Sequence, residues 1–274
     1  MADITAGYEE FCLYLEKHSG ICLGANKQYL VSSRLRRLMA DNDLKTLNEL
    51  LSKINLNTHR NLKTQVIDAM TTNETLWFRD SHPFRILEEK LLPEFYAARN
   101  MRPLRIWSAA CSTGQEPYSM SMIIQDYKAR KGVAGMGEKI VATDISPSAL
   151  EQAKAGEYPS LAIGRGLDTS RLKKHFKETT AGRFKIDPKI ASCVEFRQMN
   201  LQDSYSLLGK FDIIFCRNVL IYFTGEFKQD ILKRMHASLN PGGYLMVGAS
   251  EAINGLNEYY EMVHCRPGII YRKK

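Results

Sequence analysis

Apolar positions recur at helical spacing through the first quarter of the chain. Tyr8, Phe11, Cys12 and Leu15 fall on one face; the pattern returns at Val31, Leu35 and Leu38, at Leu47, Leu50, Leu51 and Ile54, and at Leu62, Val66, Ala69 and Met70. This predicts a small all-helical domain over residues 1–75. Thr46 followed by Glu49 predicts a capping box that opens the third helix. From about Leu104 the pattern changes to short apolar runs, LRIWSAA, KIVATDI, CVEFRQM, FDIIFC and GYLMVGA, with helical stretches after Glu116, Ser146 and Thr224. Such alternation predicts an α/β domain over 101–274, a mostly parallel sheet covered on both faces, joined to the helical unit by a linker at 76–100. Between Glu157 and Ser192 the alternation lapses into a basic, glycine-containing stretch. Its runs GRFKID and KIASCVEF predict a small antiparallel insertion at about 160–195. The tail, YYEMVHC and IIYRKK around Pro267-Gly268, predicts a terminal hairpin.

Composition narrows the class without naming a function. A chain of 274 residues with 44% hydrophobic content buries a full core and leaves room for a large and a small domain. There is no apolar run of about 18 residues, and the start MADITAGYEEF lacks a basic-then-apolar layout; a cytoplasmic protein with no stable membrane insertion is expected. Cys12, Cys22, Cys111, Cys193, Cys216 and Cys265 are scattered, with no CxxC and no Cys/His cluster, so neither a metal site nor a disulfide framework is predicted. The formal charge of +8 lies after Leu76 and suits an acidic partner, without choosing among nucleic acid, membrane surface and protein.

The chemistry concentrates in IWSAACSTGQEPYS, Ile106 to Ser119. In a doubly wound sheet, ligands sit beyond the carboxyl ends of the strands, and the small residues Ala109, Ala110, Ser112, Thr113 and Gly114 let a cofactor approach the main chain. Glu116 would repel a phosphate at the helix start, and there is neither a three-glycine fingerprint nor a GxxxxGK[ST] motif, so a cationic ligand is favoured over a nucleotide. The plain alternative is that Glu116 only favours the helix terminus while Pro117 fills its first position. Asp144 ends KIVATD, where an acid accepts ribose hydroxyls; the alternative is an Asp capping the helix near Pro147. Positive charge, ribose and no phosphate together indicate S-adenosylmethionine. Methyl transfer from a sulfonium needs alignment and exclusion of water, and a carboxylate acceptor, already ionised near pH 7, needs no general base. The six histidines are dispersed, which is compatible with that acceptor.

Four spaced motifs, TTNETLWFRD (71–80), IWSAACSTGQEPYS (106–119), ATDIS (142–146) and FDIIFCRNVLIYF (211–223), resemble the CheR family of chemotaxis methyltransferases, which esterify glutamates on chemoreceptors. The resemblance implies a class I S-adenosylmethionine methyltransferase, Rossmann-like, that releases S-adenosylhomocysteine. It implies cofactor contacts from Asn73, Thr75, Arg79, Glu116, Asp144, Asn200, Leu201, Arg217 and Asn218, with Arg79 and Tyr222 near the transferred methyl. It implies that Arg34, Arg36 and Arg37 meet the acidic cytoplasmic helices of the receptor; a solvated face is the plain reading of that cluster. For Tyr222, within LIYF, the plain reading is core packing. The turn ETTAGRF, Glu178 to Phe184, is shorter than in members that dock on a receptor's C-terminal pentapeptide, so no requirement for that peptide is expected. RNVLIYF replaces the [DN]PP[YF] of many amino methyltransferases, which argues against nucleic acid as partner. RNA or small-molecule methylation, or a non-catalytic cofactor-binding module, are the competing functions.

Overall fold

The computed structural model describes residues 6–98, 102–133, 137–266 and 268–274. Four helices come first: α1 (Tyr8–Ser19), α2 (Gln28–Asp41), α3 (Leu47–Asn55) and α4 (Arg60–Met70). Their predicted apolar faces meet in one core containing Phe11, Leu15, Val31, Leu35, Leu47, Leu50 and Val66. At the start of α3, the Thr46 side chain accepts the Glu49 N–H at 3.2 Å, as predicted. The return bond of the box is displaced by one residue: Glu49 accepts from the Lys45 N–H at 2.7 Å.

After the linker come α5 (His82–Ile86), a π-helical turn at Leu87–Leu91 and α6 (Leu92–Ala97). Pro93 lacks an N–H and its ring crowds the carbonyl four residues back, and the wider turn just before it accommodates that defect. The α/β part then runs β1 (Leu104–Ala109), α7 (Gln115–Lys131), β2 (Glu138–Asp144), α8 (Pro147–Ala155), β3 (Glu157–Pro159), α9 (Ser160–Ile163), α10 (Thr169–His175), β4 (Phe176–Glu178), β5 (Arg183–Ile186), α11 (Pro188–Ala191) and β6 (Val194–Gln198). It finishes with β7 (Phe211–Cys216), α12 (Gly225–Ser238), β8 (Leu239–Val247), β9 (Tyr260–Cys265) and β10 (Gly268–Lys273).

The main sheet has the order β6-β2-β1-β7-β8-β10-β9. The first five strands are mutually parallel, and β10 runs antiparallel to both of its neighbours. Side chains on a strand alternate between faces, and the two cores divide accordingly. Ile106, Ile140, Ile213, Phe215 and Met246 enter the core on one face, with residues of α5, α7 and the insertion. Trp107, Val141, Ile214, Cys216 and Leu245 enter the other, under α12. The chain leaves β1 toward β2 and β6 but returns at β7 on the opposite side, so the β1/β7 boundary is the switch point where a ligand crevice opens.

The insertion is a separate antiparallel sheet, β3-β5-β4. The run KIASCVEF does not belong to it. Asp187 caps Lys189 N–H at 2.7 Å with Pro188 at the first helical position, so the run opens as α11, and its second half is β6 of the main sheet. The terminal hairpin forms as β9 and β10, while Pro267 lies outside the described residues.

Candidate active site

A cleft enclosing about 1110 Å³ of empty space, its open mouth included, lies across the switch point between the helical domain and the carboxyl ends of β1, β2, β6 and β7. Asn73, Thr75, Arg79, Glu116, Asp144, Asn200, Leu201, Arg217, Asn218 and Tyr222 all line it. The helical domain adds Ile21, Leu23, Leu30 and Met70, an apolar wall that periodicity alone did not assign to a site, together with Ser19 and Arg34.

The small-residue turn after β1 is bent by positive φ at Ala110 (59°) and Ser112 (51°) as well as at Gly114 (94°). A Cβ on Gly114 would also come within 3.0 Å of Ala153 Cβ and 3.2 Å of the Tyr158 hydroxyl, so glycine there permits both the turn and the packing of α7 on α8. The turn is pinned by the Ser112 N–H donating to Asp144 Oδ2 at 2.7 Å and the Ser112 hydroxyl donating to the Asn73 carbonyl at 2.7 Å.

Asp144 is only 6% exposed. Its Oδ1 accepts the Ser146 N–H at 2.9 Å, so both oxygens are held by main-chain donors, and a carboxylate with about four lone-pair sites keeps capacity for a further one. Burial pushes its carboxyl above the ordinary value, while the Ser146, Ser112 and Ile145 N–H groups pull the other way. It is not the helix cap. Ser146 caps α8 by accepting the Ala149 N–H at 3.1 Å, and the Ser146 hydroxyl in turn donates to Asp68 of α4. Asn73 joins this network through Nδ2 to Ser146 Oγ at 3.1 Å.

Glu116 sits in the first turn of α7, one residue before Pro117, with Gly114 at the cap. Its Oε1 accepts from Ser108 at 2.7 Å and its Oε2 from Arg217 Nη1 at 2.9 Å. The Arg217 side chain is 1% exposed and also donates Nη2 to Asp80 Oδ2 at 2.6 Å and to the Arg79 carbonyl at 2.9 Å. Two carboxylates therefore surround one guanidinium, and the cluster retains one net negative charge. The Arg217 Nε is buried and has no partner among the described residues. Residual negative charge, spare capacity on Asp144 and a bare main-chain turn are the properties a sulfonium nucleoside requires, and the residues present fit it.

Arg79 is flanked by positive φ at Phe78, Asp80 and Ser81, and its guanidinium has one long hydrogen bond, 3.4 Å to the Glu74 carbonyl. LIYF divides: Leu220 and Phe223 are buried, Ile221 is exposed, and half-buried Tyr222 faces the cleft from a 3₁₀ turn. Asn200 Nδ2 donates to the His18 carbonyl at 2.9 Å, and the Cys22 N–H to the Tyr222 carbonyl at 2.9 Å, which docks the helical domain on the strand ends.

The arginines of α2 separate. Arg36 and Arg37 are exposed, Arg37 loosely paired with Asp41 at 3.7 Å. Arg34 turns inward instead, with Nη1 on the carbonyls of Met70 (2.5 Å) and Thr71 (2.8 Å) and Nη2 on Thr72 Oγ1 (2.8 Å). The free carbonyls at the end of α4 attract it. Pattern reading missed Asp68 and Glu251; both hold main chain or a cap, and neither sits at a strand end where an acid signals a ligand. Among the described residues no cluster able to hold a metal ion occurs.

Residues 6–71 match the family model described as "CheR methyltransferase, all-alpha domain", and residues 73–269 match "CheR methyltransferase, SAM binding domain". Chemotaxis protein methyltransferase Cher2 of Pseudomonas putida is 56% identical over 268 residues, covering 97% of this chain and 98% of that protein. Chemotaxis protein methyltransferase 1 of Pseudomonas aeruginosa is 56% identical over 276 residues, with full coverage of both. The chemotaxis protein methyltransferase of Salmonella typhimurium is 35% identical over 255 residues, covering 92% of this chain and 85% of that protein.

Proposed function

The chain belongs to the CheR methyltransferase family, and on that premise we propose that it esterifies glutamate side chains on the cytoplasmic helices of chemoreceptors. It is an S-adenosylmethionine-dependent methyltransferase of chemotaxis; the glutamate acceptor is the finer step. The observation that carries it is the ionisable lining of the cleft. Among the described lining residues there is no histidine or lysine, the carboxylates of Glu74, Glu116 and Asp144 are already held, and Arg79 is the cation with most donors to spare. Such a site cannot readily deprotonate an acceptor but is well provided to hold one that arrives ionised.

When bound, S-adenosylmethionine supplies an electrophilic methyl group. Asp144 would hold the ribose hydroxyls, with the Ser112–Gly114 main chain close by. Glu116, held by Ser108 and Arg217, would face the positively charged methionine end, and Asn73, Thr75, Asn200, Leu201 and Asn218 would complete the enclosure. Arg79 would hold the incoming carboxylate, and the Tyr222 hydroxyl would fix its angle. Exposed Arg36 and Arg37 would meet acidic receptor helices. No described helix is long and apolar enough to cross a membrane.

The insertion favours recognition without a receptor C-terminal pentapeptide. Its β4–β5 turn is tight, with the Thr179 N–H on the Arg183 carbonyl at 2.7 Å and the Gly182 N–H on the Thr179 carbonyl at 3.0 Å. Transfer of tritiated methyl groups to receptor-containing membranes tests the main reading: counts released by mild base are expected, and base-stable counts would refute an ester. Equal methylation of full-length and tail-deleted receptors is the expected outcome for the tail.

A further inference from the structure

Glu251 lies in the irregular segment after β8 and is not among the residues lining the cleft, yet its carboxylate gathers three backbone donors from two loops. Oε2 accepts the N–H of Asn218 and of Gly248, each at 2.7 Å, and Oε1 accepts the N–H of Ile221 at 3.3 Å. Asn218 is a non-glycine residue at φ 58°, and Ile221 is the middle residue of the 3₁₀ turn Leu220–Tyr222. A Cβ on Gly248 would fall 2.6 Å from Glu251 Oε2 and 2.9 Å from the Asn218 N, so the carboxylate fits against bare main chain. No cation pairs with Glu251 among the described residues. Its charge is answered by peptide N–H groups alone, an arrangement that fixes geometry.

We infer that Glu251 is a positioning residue for methyl transfer, acting by holding the Asn218–Tyr222 loop so that the Tyr222 hydroxyl points into the cleft. The inference rests on the role proposed above for Tyr222. Glu251→Gln is a selective probe. An amide oxygen placed where Oε2 stands still accepts from Asn218 and Gly248, but the NH₂ then opposes the Ile221 N–H, donor to donor. The tether on the turn that carries Tyr222 is lost while the rest is kept. Misplacement of an aligning group by an ångström lowers turnover by up to about 100-fold, so a fall in kcat on the order of 10-fold is expected, with the Kd for S-adenosylhomocysteine changed by less than about three-fold.

A double-mutant cycle with Tyr222→Phe separates positioning from general damage. Support requires that Glu251→Gln lower kcat about 10-fold in the wild-type background and less than about three-fold in the Tyr222→Phe background. Equal losses in both backgrounds, or no loss in the first, overturn the inference and leave the Tyr222 reading intact. A Tyr222→Phe enzyme with normal turnover would overturn that reading and this inference with it. Thermal melting establishes that each variant is folded; should Glu251→Gln not fold, Glu251→Asp, which keeps the charge but withdraws the oxygens by one methylene, enters the same cycle under the same criteria.

Discussion

Replacing Asp144 with Asn removes one charge and one acceptor from a site that uses both. In the wild-type turn, Oδ2 takes the Ser112 N–H at 2.7 Å and Oδ1 the Ser146 N–H at 2.9 Å. An amide has one acceptor oxygen, so one of these N–H groups must face an NH₂, at a cost of about 1–3 kcal/mol for a buried donor left unmade. The ribose hydroxyls lose a charge-assisted acceptor as well, worth roughly 1.5–3 kcal/mol, or about ten- to a hundred-fold in affinity. Ribose is common to S-adenosylmethionine and S-adenosylhomocysteine, so both should weaken by the same factor in titration calorimetry, and the ligand-induced rise in Tm should shrink in parallel. A pH series adds a sign. Burial raises the folded-state value of Asp144, so the carboxylate form, which the hydroxyls need as acceptor, is lost as pH falls through that raised value. The wild-type protein should therefore lose affinity on acidification through this window while Asp144→Asn stays flat. Unchanged binding of both ligands, or weakening of one alone, would remove Asp144 from the ribose site.

Other outcomes follow from single contacts. Arg36→Ala with Arg37→Ala should raise KM for receptor about two- to ten-fold and flatten its dependence on salt with cofactor binding intact, whereas Arg34→Ala should instead lower Tm, because it strips the end of α4 of its cation; identical behaviour of all three would show the division of α2 to be wrong. Burial alone would push the Asp126 carboxyl up, but hydrogen bonds from His175 and Lys174 hold it below 3.8, so its contribution to stability is present above that value and is lost as pH falls through the lower folded one; denaturant melts of Asp126→Asn should lack this acid-side decline. Gly166→Ala places a Cβ 2.1 Å from the Trp77 carbonyl at φ +97°, so Tm should fall by several degrees and kcat should fall with it, the linker being displaced; a stable, fully active variant would show that the insertion does not fix the linker.

The parts legible in the sequence were those set by period and by strand ends. Alternation of strand and helix predicts the sheet domain, and Asp144 at the end of β2 and Glu116 in the first turn of α7 both fall on the cleft because parallel strands deliver their carboxyl ends, and the helix starts that follow them, to the same edge. KIASCVEF was misassigned although Asp187-Pro188 carries a helix-start signal, because the apolar run outweighed the cap. The direction of Arg34 was not legible: its partners lie 36 to 38 residues away, and helical spacing shows which side is apolar but not what stands beside the other. Nor were the bends at Ala110, Ser112 and Asn218, left-handed backbone at residues other than glycine, of which Ser112 is held by Asp144 and Asn218 by Glu251. Asp68 and Glu251 share this invisibility, since an acid that binds peptide N–H groups or a serine hydroxyl needs no neighbour of a particular type.

The linker shows why such distant contacts are needed. Phe78, Asp80 and Ser81 surround Arg79 with φ values of 49°, 67° and 51°, and left-handed conformations of this kind cost on the order of 1–3 kcal/mol each, so the segment does not hold its shape unaided. Opposing that strain, the Trp77 N–H donates to the Arg165 carbonyl at 3.0 Å, the Trp77 ring packs edge-on against Tyr158 and Phe176, and the Arg171 guanidinium covers Phe78 at 4.2 Å. Three of these partners belong to the insertion and one to the helix leading into β4, so the antiparallel subdomain stabilises the linker from one side. Arg217 holds it from the other, through the Arg79 carbonyl and Asp80, while its remaining amino group fixes Glu116. One buried guanidinium thus sets the distance between the carboxylate assigned to the cofactor's cationic end and the backbone that carries the arginine assigned to the acceptor. A transfer that depends on in-line approach and lacks acid–base assistance needs that distance fixed before either reactant arrives.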